Sequence, residues 1–258
     1  MRDLIATLVQ TDLLWENPEA NRERFSQALR GLAVASDLVV LPEMFTTGFS
    51  MQALANAELP GGVTEQWLRS TAHEMNCAIT GSIPVNVDGK VYNRMLFATP
   101  DECFHYDKRH LFRMAGEHEA YAPGTERVIV EWRDWRIKLE VCYDLRFPVF
   151  SRNRQDYDLL LNVANWPAKR AHHWRSLLQA RAIENQVCVI GVNRVGRDGV
   201  NVEYSGDSLA IDAVGMVMTD MQSHSACETV CLDAAALCEY RERFPAHLDA
   251  DDFSLGLG

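Results

Sequence analysis

No stretch of this 258-residue chain reaches the roughly 18 consecutive apolar residues of a membrane span. The opening MRDLIATLVQTD is apolar for only a few positions before Asp12. A basic stripe is missing as well. Lys and Arg number 25 against 36 Asp and Glu, and the net charge of −11 argues against nucleic acid or an anionic membrane as partner. The seven cysteines form no C-x-x-C pair, and several sit inside apolar runs such as VCVIGV. This usage predicts reduced, mostly structural thiols and a cytoplasmic protein. Internal repeats, Pro-rich linkers and Gly/Ser tracts are also lacking, so a single domain spanning 1–258 is expected.

What the chain does have is alternation. Short runs of Leu, Ile and Val are interleaved with segments of helical period, the pattern of an α/β architecture. Asn17-Pro18 reads as an N-cap followed by proline at the first helical position, with Phe25, Ala28, Leu29 and Leu32 on one face up to about Ala35. A second helix opens at Thr64 and carries Trp67, Leu68, Thr71, Ala72 and Met75 on one side. A third runs from His172 to Gln186. Asp88-Gly89 and Arg133-Asp134 each separate two strand-like runs and read as hairpin turns, which points to layered, mixed sheets rather than a purely doubly wound one.

Three chemically distinctive residues each follow a strand-like run directly. Glu43 ends LVVLPE, Lys108 ends CFHYDK and Cys142 ends RIKLEVC. Ligand sites in α/β proteins collect beyond the carboxyl ends of strands. A carboxylate, an ammonium and a thiol brought to one such edge could work together: Lys⁺ lowers the thiol pKa, Glu⁻ takes its proton, and the thiolate attacks an acyl carbon. Taken singly, each residue has an ordinary explanation. A cysteine in an apolar strand packs in the core, and a Glu or Lys after a strand faces water.

The strings LPEMFTTGF, YDKRHLF and VCYDLRFP around these residues resemble, in order, the three catalytic motifs of the nitrilase superfamily. The likeness continues through NVANWP and QARAIENQVCVIGVNRVG to the tail CEYRERFPAHLDADDF, and is closest to the bacterial omega-amidase branch. The resemblance implies a four-layer α-β-β-α sandwich with mixed sheets and carbon–nitrogen hydrolysis through a cysteine thioester. It also implies assembly as a homodimer. Carried over to this chain, it makes Cys142 the nucleophile, Glu43 the general base and Lys108 the electrostatic partner. The Lys108 ammonium and the backbone N–H of Tyr143 would hold the oxyanion. A second active-site glutamate is implied between the lysine and Pro123-Gly124, where Glu117 is favoured over Glu119. Tyr143-Asp144 stands where nitrile-cleaving members have Trp-Glu, so the substrate implied is an amide, of the kind of 2-oxoglutaramate.

Other residues have two readings each. Trp166, in NWP after an apolar run, walls the substrate pocket or packs in the core. Arg170 supplies the cation that a substrate carboxylate needs, or lies with Lys169 on a solvated helix start, with Arg113 in reserve. Asp144 orients the site or caps a local turn, and Arg181, Glu184 and Asn185 brace a helix. Cys227 and Cys231 read as strand packing. His105, His110 and the pair His172-His173 lack the spacing of a metal helix, so no metal or cofactor is expected. The alternatives are a Cys-His hydrolase using His105, His110 or His118, an N-carbamoyl or nitrile hydrolase on the same fold, and a non-catalytic scaffold.

Overall fold

The computed structural model describes residues 1–32 and 34–256. In chain order the strands are β1 (Leu4–Gln10), β2 (Leu38–Val40), β3 (Ala78–Val87), β4 (Lys90–Ala98), β5 (Cys103–Asp107), β6 (Ile129–Trp132) and β7 (Trp135–Val141). They continue as β8 (Leu159–Val163), β9 (Cys188–Val192), β10 (Val195–Arg197), β11 (Glu203–Ser205), β12 (Leu209–Ile211), β13 (Val217–Asp220) and β14 (Ala226–Leu232). One six-stranded sheet has the order β14-β1-β2-β3-β4-β5, the other β13-β12-β9-β8-β7-β6, and β10 and β11 form a separate ribbon.

The two sheets share one plan. In the first, β1, β2 and β3 are parallel and flanked by antiparallel partners. In the second, β7, β8 and β9 are parallel with antiparallel partners outside them. Strand β2 explains why the runs are continuously apolar. Leu38 and Val40 join the core between the sheets, whereas Val39 and Leu41 pack with Phe25, Leu29, Leu68 and Ala72 of the outer helices. Both faces are covered, so both sets of alternate side chains must be apolar. Beyond the second sheet, Trp174, Leu178 and Ala182 of the helix Ala171–Asn185 close the fourth layer. Gly191 of β9 allows this approach, because a Cβ there would lie 2.4 Å from Leu178 Cδ1. The α-β-β-α sandwich with mixed sheets is thus the observed fold.

Local signals landed well at the turns. Asp88 and Gly89 have φ of 50° and 85°, and Arg133 and Asp134 have 52° and 67°, the pair of positive values a two-residue hairpin loop needs. Asn17 caps the helix Pro18–Arg30 by accepting from the Ala20 N–H at 3.2 Å. That helix stops at Arg30 rather than near Ala35. Gly31 ends it, with its N–H turned back to the Gln27 and Ala28 carbonyls. Cys227 and Cys231 do lie on a strand, β14, though Cys231 is exposed rather than packed. Among the described residues no helix is long and apolar enough to cross a membrane.

Candidate active site

Glu43, Lys108 and Cys142 follow β2, β5 and β7, and the structure brings them to one edge of the sandwich. The turn at Cys142 is tight. The residue leaves β7 at φ 48°, a left-handed conformation unusual for a side chain of this kind, and leads directly into the 3-10 turn Cys142–Arg146. In that turn the N–H of Tyr143 belongs to the first residues of a helix, which have no carbonyl partner within it.

Lys108 is fully buried, and its Nζ donates to Glu43 Oε1 at 2.9 Å and to both carboxylate oxygens of Glu117 at 3.0 Å. Each carboxylate has further support. Asn93 Nδ2 donates to Glu43 Oε1 at 2.7 Å and to Glu117 Oε1 at 3.3 Å. The Asn165 N–H reaches Glu43 Oε2 at 2.7 Å, its Nδ2 reaches the Glu43 carbonyl at 2.6 Å, and the Phe112 N–H reaches Glu117 Oε2 at 2.6 Å. Lys108, Glu43 and Glu117 have no exposed surface, but Cys142 keeps 8%. The thiol is therefore the member of the set that meets the cavity in front of it, a space of about 220 Å³ lined also by Phe49, Phe112, Tyr143, Trp166 and Arg170.

Charge balance decides where the protons sit. One ammonium faces two carboxylates in a dry environment. Burial opposes the charge of Lys108, but Glu117, Glu43 and the Cys142 sulfur together hold its pKa well above the ordinary lysine value. Burial raises Glu117 above the usual carboxylate range, against the opposing charge of Lys108 and with a further push from the charge of Glu43. The thiol responds in the direction opposite to expectation. Burial first and Glu43 second push Cys142 well above its ordinary value, and Lys108 offsets only part of this. Burial and the Glu43 charge thus both disfavour a preformed thiolate, and Lys108, bonded to two glutamates, does not outweigh them. The arrangement can pass the thiol proton to Glu43, the carboxylate beside it.

The remaining predicted residues separate cleanly. Glu117 is in the cluster, whereas Glu119 is largely exposed beside His118. Trp166 does both things considered for it: it lines the cavity and is buried, with Nε1 donating to the Arg170 carbonyl at 2.8 Å. Arg170 is half-buried with its guanidinium 5.1 Å from the Phe112 ring centre, and burial and neighbouring Arg146 pull its pKa below the usual value. The acidic groups that act on it include the Cys142 thiol and the Tyr204 and Tyr143 phenols, and Asp198 lines the same cavity. Arg113 is exposed on the turn Arg113–Ala115 and does not line the cavity. No histidine lines it either. His105 and His118 are exposed and His110 is turned to Asp144.

Three functional neighbours escaped the sequence reading. Asn93 sits mid-strand on β4, Asn165 just past β8, and Asn193 accepts from the Trp166 N–H at 2.8 Å while donating to the Trp166 and Gly206 carbonyls. The usable signal was an asparagine interrupting an otherwise apolar run, since a buried amide has to find partners.

A buried Lys–Glu–Glu cluster beside a cavity-facing thiol at the end of a parallel strand is the equipment of a thiol hydrolase. Residues 5–237 match the carbon-nitrogen hydrolase family, and the chain belongs to it, as a hydrolase acting on carbon–nitrogen bonds other than peptide bonds. Over 257 residues, 99% of this chain and 100% of the other, it is 50% identical to omega-amidase YafV of Escherichia coli (strain K12). It is 32% identical to the 2-oxoglutaramate amidase of Bacillus subtilis (strain 168), with 93% and 95% of the two chains covered. The crystal structure of XC1258 from Xanthomonas campestris, a CN-hydrolase superfamily protein with an arsenic adduct in its active site, is similar at a TM-score of 0.97 and 50% identity. That likeness covers 99% of this chain and 100% of that one.

Proposed function

We propose that this chain is an omega-amidase: it hydrolyses the terminal amide of a small carboxylate-bearing substrate such as 2-oxoglutaramate, releasing 2-oxoglutarate and ammonia. The observation that carries the reading is that Cys142 and Arg170 line one cavity. The likeness to an omega-amidase and to a 2-oxoglutaramate amidase supports it. Arg170 meets the distal carboxylate, for which a guanidinium offers two parallel donors. Tyr143 and Trp166 wall the amide end.

In the first half-reaction Cys142 Sγ bonds to the amide carbon while its proton passes to Glu43. The oxyanion is held by the Lys108 ammonium and the Tyr143 N–H. The carbon–nitrogen bond then breaks, Glu43 returns the proton to the leaving nitrogen, and ammonia departs from a thioester. Water attacks the thioester carbon, giving a proton to Glu43, and the carbon–sulfur bond breaks as Glu43 returns that proton to the sulfur, releasing the acid and restoring the thiol and the Glu43 carboxylate. Glu117 keeps Lys108 charged and aimed throughout. No step requires a cofactor.

Further parts of the reading are a single domain, a homodimer and a cytoplasmic setting. One core continuous between the two sheets supports the first. Exposed apolar side chains at Ile183, Val214, Met216, Val217 and Met218, with Gly215 set against Ile183, support the second. Seven free cysteines suit a reducing compartment.

The test is ammonia release from a panel of omega-amides, N-carbamoyl compounds and nitriles, with wild type and Cys142→Ala. Preference for the omega-amides, no product from the variant, and an acyl adduct on the Cys142 peptide of wild type quenched during turnover are expected. Full activity in Cys142→Ala, or preference for nitriles or carbamoyl compounds, would overturn the reading.

A further inference from the structure

Asp144 lies two residues beyond the nucleophile of the reading above, fully buried and outside the cavity lining. Its carboxylate is saturated. Oδ2 accepts from the Val141 N–H at 3.0 Å and from the Tyr106 hydroxyl at 2.7 Å, and Oδ1 accepts from the His110 N–H at 2.9 Å and from His110 Nδ1 at 2.7 Å. A carboxylate has about four lone-pair positions, and here all are taken. Since an ionised carboxylate only accepts, His110 Nδ1 carries a proton. Burial works against the charge, but these donors hold Asp144 below the ordinary aspartate range.

The partners fall in two places. Val141 and Asp144 stand on either side of Cys142, so their bond closes the turn that keeps Cys142 at positive φ. Tyr106 and His110 stand two residues before and two after Lys108, and the Tyr106 oxygen also accepts from the Arg109 N–H at 3.2 Å. Tyr106 belongs to the first sheet and Asp144 follows a strand of the second. The His110 ring is stacked on Phe147, centroids 3.8 Å apart and planes 10° apart, just past the same turn.

We propose that Asp144 is a positioning residue: a clamp between the sheets that sets the Cys142 sulfur relative to the Lys108 ammonium. The proposal rests on Cys142 and Lys108 having the roles given under the proposed function. Four donors converge on one carboxylate, one from the nucleophile turn (the Val141 N–H) and three from the residues that flank Lys108 (the Tyr106 hydroxyl and the His110 N–H and ring Nδ1), so the relative placement of the two catalytic elements depends on its charge. A local turn cap would need the Val141 bond alone.

Asp144→Asn separates the two roles. It keeps size and shape, but one carboxylate oxygen becomes an NH₂, which faces two donors with a third and opens one half of the clamp. We expect kcat per folded molecule to fall about 10- to 100-fold with KM within about threefold, the effect of a small misplacement of reacting groups. The pH profile of Cys142 alkylation by iodoacetamide should move by about one unit, although Glu43, Lys108, Glu117 and Arg170, the charged groups around the thiol, are unchanged. Tyr106→Phe, which removes one donor and conserves the ring, should shift both readouts the same way by less, and it carries the test if Asp144→Asn does not fold. A lower melting temperature with wild-type kcat and an unmoved alkylation profile in the folding variants would overturn the clamp. Wild type that continues to turn over after Cys142 is alkylated would overturn the reading of the site itself, and the clamp with it.

Discussion

Two lysines in this chain are completely buried against glutamate, and they behave in opposite ways. Lys108 is shared by Glu43 and Glu117, and its pKa is driven up. Lys138, on β7, is bonded to Glu140 two residues along on the same face, with Ser151 Oγ donating to Glu140 Oε1 at 2.8 Å. Its Nζ lies 4.2 Å from the Phe150 ring centre. There burial outweighs the single carboxylate, and the Lys138 pKa is pushed down.

The difference lies in stoichiometry and access. Every oxygen of Glu43 and Glu117 has a donor, whereas Glu140 Oε2 has none and neighbouring Asn162 on β8 leaves both side-chain atoms unpaired. The first cluster has a thiol open to a cavity in front of it, and the second does not line that cavity. A buried Lys–Glu pair by itself is therefore a poor marker of chemistry. Such pairs contribute little net stability and are read as functional only with a reactive partner and a way in.

The sharpest way to break this contrast is to remove the cation from each cluster. Lys108→Met should lower kcat for 2-oxoglutaramate by about 10²–10³, the loss of one preorganised donor to the oxyanion. Lys138→Met should leave kcat within about threefold while lowering unfolding free energy by roughly 3–5 kcal/mol, since Glu140 is left buried and unpaired. Steady-state ammonia release and urea unfolding read both. Comparable loss of kcat in the two variants would erase the distinction.

The cavity side of the contrast is sharpened by Arg170→Ala. KM for 2-oxoglutaramate should rise about ten- to a hundredfold, the loss of one charge-assisted pair, with little change for a neutral amide of similar length. Equal effects on both substrates would remove Arg170 from carboxylate binding. The smallest effect is expected from Lys138→Met combined with Glu140→Leu. Replacing a buried ion pair by apolar side chains should be neutral to stabilising by about 1–4 kcal/mol, with kcat unchanged, by the same two measurements. A fall in kcat would tie the second cluster to the reaction.

Much of this molecule was legible in its sequence because the forces concerned are local or strictly periodic. The Asn17-Pro18 helix start and the Asp88-Gly89 and Arg133-Asp134 turns depend on a few adjacent backbone groups, and each is where the residues indicate. The strands of the two cores follow from runs apolar on both faces. Glu43, Lys108 and Cys142 could be picked out because their surrounding motifs resemble a family as well as following strands. The end of the first helix was misjudged, because the apolar period continues to Leu32 whereas Gly31 ends the hydrogen-bonding pattern.

Tertiary structure alone decided what depends on distance between remote segments. Glu117 is favoured over Glu119 in the run GEHE, but it is the fold that turns Glu117 onto Lys108 and leaves Glu119 in water. Asn93 and Asn165 are unremarkable in sequence until Glu43 lies within hydrogen-bond reach of both. The common plan of the two sheets leaves no repeat in the residues, since pairing direction is a property of backbone geometry that many apolar sequences satisfy. The direction of the Cys142 shift depends on distance too. Burial and Glu43 raise the thiol pKa, Lys108, which two glutamates also bind, offsets only part of this, and no linear spacing carries that information.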